Sequence, residues 1–218
     1  MNITCSVWKP VDMVSSQVVQ IAKKKIALNH KVGHAGTLDP FAEGVLVLCF
    51  GEKTKEVSSI MAMKKEYLGK IKLGIETDTM DKTGEIYKMA NIPDINKANI
   101  LSVFKKFTGN IEQTPPAFSA LKCNGKRLYE YARSGIRIIK KPRNIIIHSL
   151  DLLEYDKPGT IIFKTTCSSG TYIRSLAADI GRELGSFGYL EELQRLRVGH
   201  YTKESCLSLK DLIDGNIK

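Results

Sequence analysis

Three side chains could do chemistry from where they stand. Asp39 is the only carboxylate of GHAGTLDP, residues 33 to 40. Pro40 disfavours helical geometry at that aspartate, and Gly33, Gly36 and Gly44 permit tight backbone, so the carboxylate is held rather than mobile. It can serve as a nucleophile or as an Asx-type turn cap, and spacing alone favours the cap. Arg174 falls in what should be the first turn of a helix, where the macrodipole disfavours a cation by up to ~1 kcal/mol. A carboxylate or phosphate partner would offset that cost, or its long stem simply covers apolar neighbours. Tyr67 lies on an alternating strand pattern, where an aromatic is by default a core residue.

Other site chemistries find less support. Glu43 could face the same way as Asp39, but nothing places both carboxylates in one pocket. The four histidines (His30, His34, His148 and His200) form no HxH, HExxH or His/Cys cluster, so no metal is expected. The glycine spacing matches neither a phosphate loop nor a dinucleotide fingerprint.

The elements that must carry these residues are legible as periodicities. SSQVVQIAKKKIAL places Val18, Val19, Ala22 and Ile26 at helical spacing behind Ser15 or Ser16, and VLVLCF after Gly44 reads as a buried strand. GHAGTLDP is therefore expected to be a helix-to-strand loop. EYLGKIKLG alternates, with Tyr67, Gly69, Ile71 and Leu73 on one face and Lys70 and Lys72 on the other. DINKANILSVFKKFTGN predicts a helix capped by Asp94 or Asn96 and ended before Gly109. NIIIHSLDLLEY and TIIFKTTC predict a hairpin turning near Lys157-Pro158-Gly159, and SSGTYIRSLAADIGRELG enters a helix after Gly170. With no repeats and no linker-like stretch, strands and helices in mixed order imply an α+β fold around a mostly antiparallel sheet, as one domain over residues 1–218.

Composition bounds the partners. The chain has 218 residues, 43% hydrophobic, enough for a sizeable core. Thirty-three Lys and Arg against 23 Asp and Glu give +10, dispersed in clusters such as Lys23–Lys25 and Lys140–Lys141. Dispersed excess charge favours a polyanion such as nucleic acid over a detachable basic tail, although a lysine-rich solubilising surface would look the same. Five widely spaced cysteines without a CxxC pair suggest reduced thiols in a cytoplasmic protein. No run approaches the ~20 apolar residues of a membrane span, and no leader is expected.

Four blocks in collinear order carry a resemblance: KVGHAGTLDPFAEGVLVLCFGEKTK, KKEYLGKIKLGIETDTMDKTGEI, TPPAFSALKCNGKRLYEYARSG and CSSGTYIRSLAADIG. Together they resemble the bacterial TruB family, tRNA pseudouridine synthases that isomerise uridine 55 in the T loop. The resemblance runs from about Lys9 to about Tyr201. It implies a pseudouridine synthase fold, no cofactor, the tRNA T-arm as partner, and a monomer. Asp39 resembles the family's nucleophile, and His34 the histidine that helps hold the target nucleotide out of its stack. Tyr67 resembles the tyrosine packed on the base, and Arg174 the arginine paired with the nucleophile; Asp78 and Leu193 match further pocket positions. Lys9 belongs to WKPVDMVSS, which resembles the family's KPxGxTS block, except that Asp12 replaces glycine and Val14 the hydroxyl residue. The C-terminal PUA domain of most bacterial relatives is not expected here. Alternatives are an RNA-binding or tRNA-folding protein without turnover, and the same chemistry on a different RNA.

Overall fold

The computed structural model describes residues 1–216 except 120, 121, 124, 137, 139 and 140, and only the backbone course at 122, 123, 126, 127, 129, 132 and 133. Lys140 of the basic clusters, the Cys123 side chain and part of the TPPAFSALKCNGKRLYEYARSG block thus lie outside the described residues. The elements begin with β1 (Thr4–Lys9), α1 (Ser15–Lys25), β2 (Val32–Ala35), β3 (Glu43–Phe50), α2 (Val57–Ala62) and β4 (Lys65–Leu73). They continue with β5 (Ile75–Thr77), β6 (Ile86–Met89), α3 (Lys97–Lys106), β7 (Gly109–Gln113), β8 (Lys122–Cys123), β9 (Lys126–Arg127) and α4 (Leu128–Arg133). The last are β10 (Arg143–Asp156), β11 (Thr160–Cys167), α5 (Ile173–Glu183), β12 (Gly188–Val198), β13 (Tyr201–Thr202) and α6 (Leu209–Asp214). They gather into two compact units, Met1–Leu68 with Leu193–Lys218, and Gly69–Glu192.

In the first unit β1 pairs antiparallel with β3, β2 pairs antiparallel with the same strand, and β12 meets β3 in parallel at Gln194↔Glu43 and Arg195↔Gly44. β3 is buried on both faces, which is why its sequence is a continuous apolar run rather than an alternating one. Leu46, Leu48 and Phe50 pack with Val18 and Ala22 of α1 and Leu212 of α6, while Val45, Val47 and Cys49 pack with Ile60 of α2 and Val198. Gly44 has φ 126° because β12 passes directly over it; a Cβ there would lie 2.6 Å from the Arg195 nitrogen.

The helix-to-strand loop expected at GHAGTLDP is shorter than predicted. Its first residues form β2, with Val32↔Phe50 and Ala35↔Val47 as end pairs, so their main-chain groups find ladder partners on β3. Two glycines weaken the strand signal there, which is why composition suggested a loop.

Two departures from the KPxGxTS block have local structural answers. Asp12 adopts φ 60°, the left-handed conformation that a glycine takes freely and that aspartate tolerates better than most residues. Val14 is the N-cap of α1 and offers no side-chain acceptor; its own N–H donates instead to Gln17 Oε1 at 2.8 Å.

In the second unit the strand order is β4-β11-β10-β7, with β10 antiparallel to both neighbours. The predicted hairpin is β10 and β11, turning at 157–159. β4 alternates buried and half-buried as its sequence implied. Gly69 stands where the Phe163 ring presses on β4, a Cβ there meeting that ring at 2.6 Å, and Phe163 meets Phe104 of α3 edge-on with centroids 6.3 Å apart. Asn96 caps α3 by accepting from Asn99 N at 3.1 Å. The fold is α+β with a mostly antiparallel central sheet, as expected. No helix among the described residues is long and apolar enough to cross a membrane.

Candidate functional site

The site in the first unit is built around the segment from Gly36 to Gly44 that carries Asp39, and three side chains hold its main chain. The Ser15 hydroxyl, at the start of α1, both donates to Leu38 O at 3.0 Å and accepts from Leu38 N at 2.9 Å. The ammonium of Lys9, fully buried at the end of β1, donates to Pro10 O at 2.8 Å, Met13 O at 2.7 Å and Pro40 O at 3.3 Å. Arg195, 2% exposed, sends Nε to Val45 O at 2.8 Å, Nη2 to Gly36 O at 2.9 Å and Nη1 to Thr37 O at 3.4 Å. A backbone bond from Asp12 N to Pro40 O at 2.8 Å closes the frame. Each such bond contributes about 1 kcal/mol net, and every one anchors backbone rather than the Asp39 side chain.

The electrostatics follow from that burial. Desolvation lowers the Lys9 pKa to about 8; the Asp39 charge pushes it back up, Arg195 lowers it, and Asp12 and Glu43 raise it. Lys9 and Asp39 therefore feel each other's charge. Asp39 itself is half-buried, and its carbonyl accepts from Ala42 N at 3.1 Å in the turn that starts β3.

The other expected site residues of this unit occupy regular structure. His34 is half-buried on β2 opposite Leu48. Tyr67 is 8% exposed on the inward face of β4, and Leu193 is 7% exposed on β12, two residues before Arg195 on the same face.

In the second unit Arg174 does lie in the first turn of α5, 5% exposed. Its Nη1 donates to Thr79 O and its Nη2 to Phe118 O, both at 2.8 Å, and Nη1 stands 3.4 Å from Asp81 Oδ2. The helix-start cation thus has a carboxylate neighbour in Asp81, which offsets the unfavourable helix-start placement. Asp81 Oδ1 in turn accepts from Thr79 Oγ1 at 2.8 Å and Thr83 N at 2.9 Å, so the carboxylate is oriented from behind. Asp78 is exposed and accepts from Glu85 N at 2.9 Å, securing the turn between β5 and β6. It also lines a cavity of about 570 Å³ with Met80, Tyr87, Pro115 and Phe118.

The same unit holds a second ion pair that sequence reading missed, a buried carboxylate met by a more exposed guanidinium. Glu76, fully buried, accepts from Arg182 Nε at 2.9 Å and Nη2 at 2.7 Å and from the Tyr87 hydroxyl at 2.5 Å. Burial alone would raise the Glu76 pKa; the Arg182 and Tyr87 hydrogen bonds outweigh it and hold the carboxyl below its ordinary range. Three other residues were missed. Asp81 stands three residues beyond the expected Asp78, Arg195 was legible only as the inward position after Leu193, and Ser15 was read merely as a cap. Among the described residues no three His, Cys, Asp or Glu side chains gather into a metal-binding group.

Residues 23–173 match the family model described as TruB family pseudouridylate synthase (N terminal domain), and residues 174–217 that described as tRNA pseudouridylate synthase B C-terminal domain. The protein called tRNA pseudouridine synthase B from Clostridium tetani is 43% identical over 218 residues, spanning the whole chain and 75% of that relative. The protein of the same name from Francisella philomiragia is 48% identical over 208 residues, 94% of this chain and 68% of the relative. Among solved structures, a Cbf5-Nop10-Gar1 complex contains a chain 30% identical with a TM-score of 0.75. An H/ACA RNP bound to a substrate RNA containing 2'-deoxyuridine contains one 27% identical with a TM-score of 0.71. Each alignment covers 97% of this chain but about half of the solved one, 53% and 52%.

Proposed function

The chain belongs to the TruB family of pseudouridylate synthases, and from that membership we propose that it isomerises uridine 55 in the T loop of tRNA, with Asp39 as the nucleophile. In this reading both units form one catalytic domain of a cytoplasmic monomer. The reaction breaks the N1–ribose bond, turns the uracil and joins C5 to the sugar; the C5 proton leaves and N1 gains one. Atoms and electrons balance within the nucleotide, so one well-placed nucleophile suffices.

The observation that carries the reading is the frame around Asp39. A nucleophile must meet its target within a few tenths of an ångström, and Lys9, Ser15 and Arg195 restrain the loop from both sides of the aspartate. Arg174 is assigned as the ion-pair partner of Asp39 during catalysis, a role suited to a buried guanidinium already oriented by Asp81. Tyr67 is assigned as the platform for the flipped uracil, His34 as an aid to extrusion, and Leu193 and Asp78 as flanking contacts. Lys9 is assigned to the loop frame. Extruding the base costs a few kcal/mol, offset by stacking and by contacts of the dispersed lysines with phosphates.

The experiment is tritium release from uracil C5 of a tRNA transcript. Asp39→Asn should abolish release while circular dichroism stays unchanged; near-wild-type release would sink the assignment. Likeness to a chain from an H/ACA RNP bound to a substrate RNA favours one second reading, the same chemistry on another RNA. Replacing the T-loop uridine by cytidine separates the two, since product that persists points to a different target.

A further inference from the structure

We infer that Arg195 is a positioning residue for the isomerisation: its guanidinium ties the two arms of the Asp39 loop together and so sets where the nucleophilic carboxylate stands. This inference rests on the assignment of Asp39 as nucleophile. The supporting geometry is specific to arginine. Nη2 and Nη1 reach Gly36 O and Thr37 O on the arm before Asp39, and Nε reaches Val45 O on the arm after it. One planar fork therefore spans both arms, which a lysine ammonium on a flexible stem cannot do.

Two further features make the arrangement a built one. The Arg195 backbone pairs with Gly44 across the β12–β3 junction, and a Cβ on Gly44 would collide with it. Gly44 thus admits the Arg195 backbone. Gly36 adopts φ 90°, a backbone conformation that L side chains rarely take, at the carbonyl that accepts from Nη2. A desolvated guanidinium is costly unless it is hydrogen-bonded, and this one makes its hydrogen bonds to main-chain carbonyls of one loop. Its positive charge, with that of Lys9, also surrounds the loop that bears the carboxylate.

The test compares wild type, Arg195→Lys and Arg195→Gln on a tRNA transcript, with folding checked by circular dichroism and thermal melting. Arg195→Gln, which keeps a planar amide donor without charge, serves if the lysine variant does not fold. In the folded variant kcat should fall about 100-fold while KM stays within about twofold, the signature of a displaced reacting group rather than lost binding. Amide hydrogen exchange should quicken at 36–45 and not in α1. A folded variant whose kcat is within about twofold of wild type, or one in which KM alone rises, overturns the inference. Failure of the wild type to form pseudouridine would instead deny the functional reading itself.

Discussion

Asp81 Oδ2 stands 3.4 Å from Nη1 of Arg174, and both side chains are only 5% exposed. Two carbonyls also accept from the guanidinium, and Thr79 and Thr83 donate to the carboxylate. Removing one partner of such a pair leaves a buried charge. Asp81→Ala should therefore lower stability by about 3–5 kcal/mol in urea titration, with Asp81→Asn losing less because the amide still accepts from Thr83 N. Equal, small losses for both variants would show that Arg174 finds another partner.

The Lys9 ammonium should give a pH signature of defined sign. Its folded pKa is about 8, below the ordinary 10.5, chiefly through burial. Between those values the unfolded chain binds the proton more tightly, so unfolding takes up protons and stability rises with pH across that window. Measured against Lys9→Met by urea titration at pH 7 and pH 10, wild type should gain about 1–3 kcal/mol. Turnover should move the other way. A neutral amine has two N–H groups for three carbonyls, the bond to Pro40 O is the longest, and kcat should fall on the alkaline side near pH 8.

The two departures in WKPVDMVSS should be reparable. Val14→Thr supplies the missing N-cap acceptor of α1 and should raise stability by about 1 kcal/mol. Asp12→Gly relaxes a left-handed backbone but frees the unfolded chain, so its gain should stay within about 0.5 kcal/mol. Thermal melting of both variants decides; destabilisation by Val14→Thr would mean that the Gln17 contact already meets the whole capping demand.

Gly69 and Phe163 should be energetically coupled. Gly69→Ala drives a methyl into the Phe163 ring and should cost about 1–3 kcal/mol, whereas Gly69→Ala with Phe163→Leu should cost less than the sum of the single changes. Additive losses would mean that β4 shifts instead of the ring.

Much of the architecture follows from periodicity, because a helix or strand must show its buried face in the chain itself. The alternation of β4, the apolar run of β3, the cap and end of α3 and the β10–β11 hairpin all behave this way. So does the place of Arg174, since a helix start is written locally by the turn at Gly170. The tertiary structure decided what lies against that arginine: the turn between β5 and β6 sets Asp78 outward against Glu85 and Asp81 inward against the guanidinium, a pairing that no local pattern records. The frame of Asp39 is likewise a tertiary product. Its parts, Lys9, Ser15 and Arg195, are separated by up to 186 positions and become neighbours only because β1, α1 and β12 all meet around β3. By itself the sequence determined a rigid loop bearing one carboxylate; long-range hydrogen bonds to its main chain, which no local pattern records, determined how that loop is held.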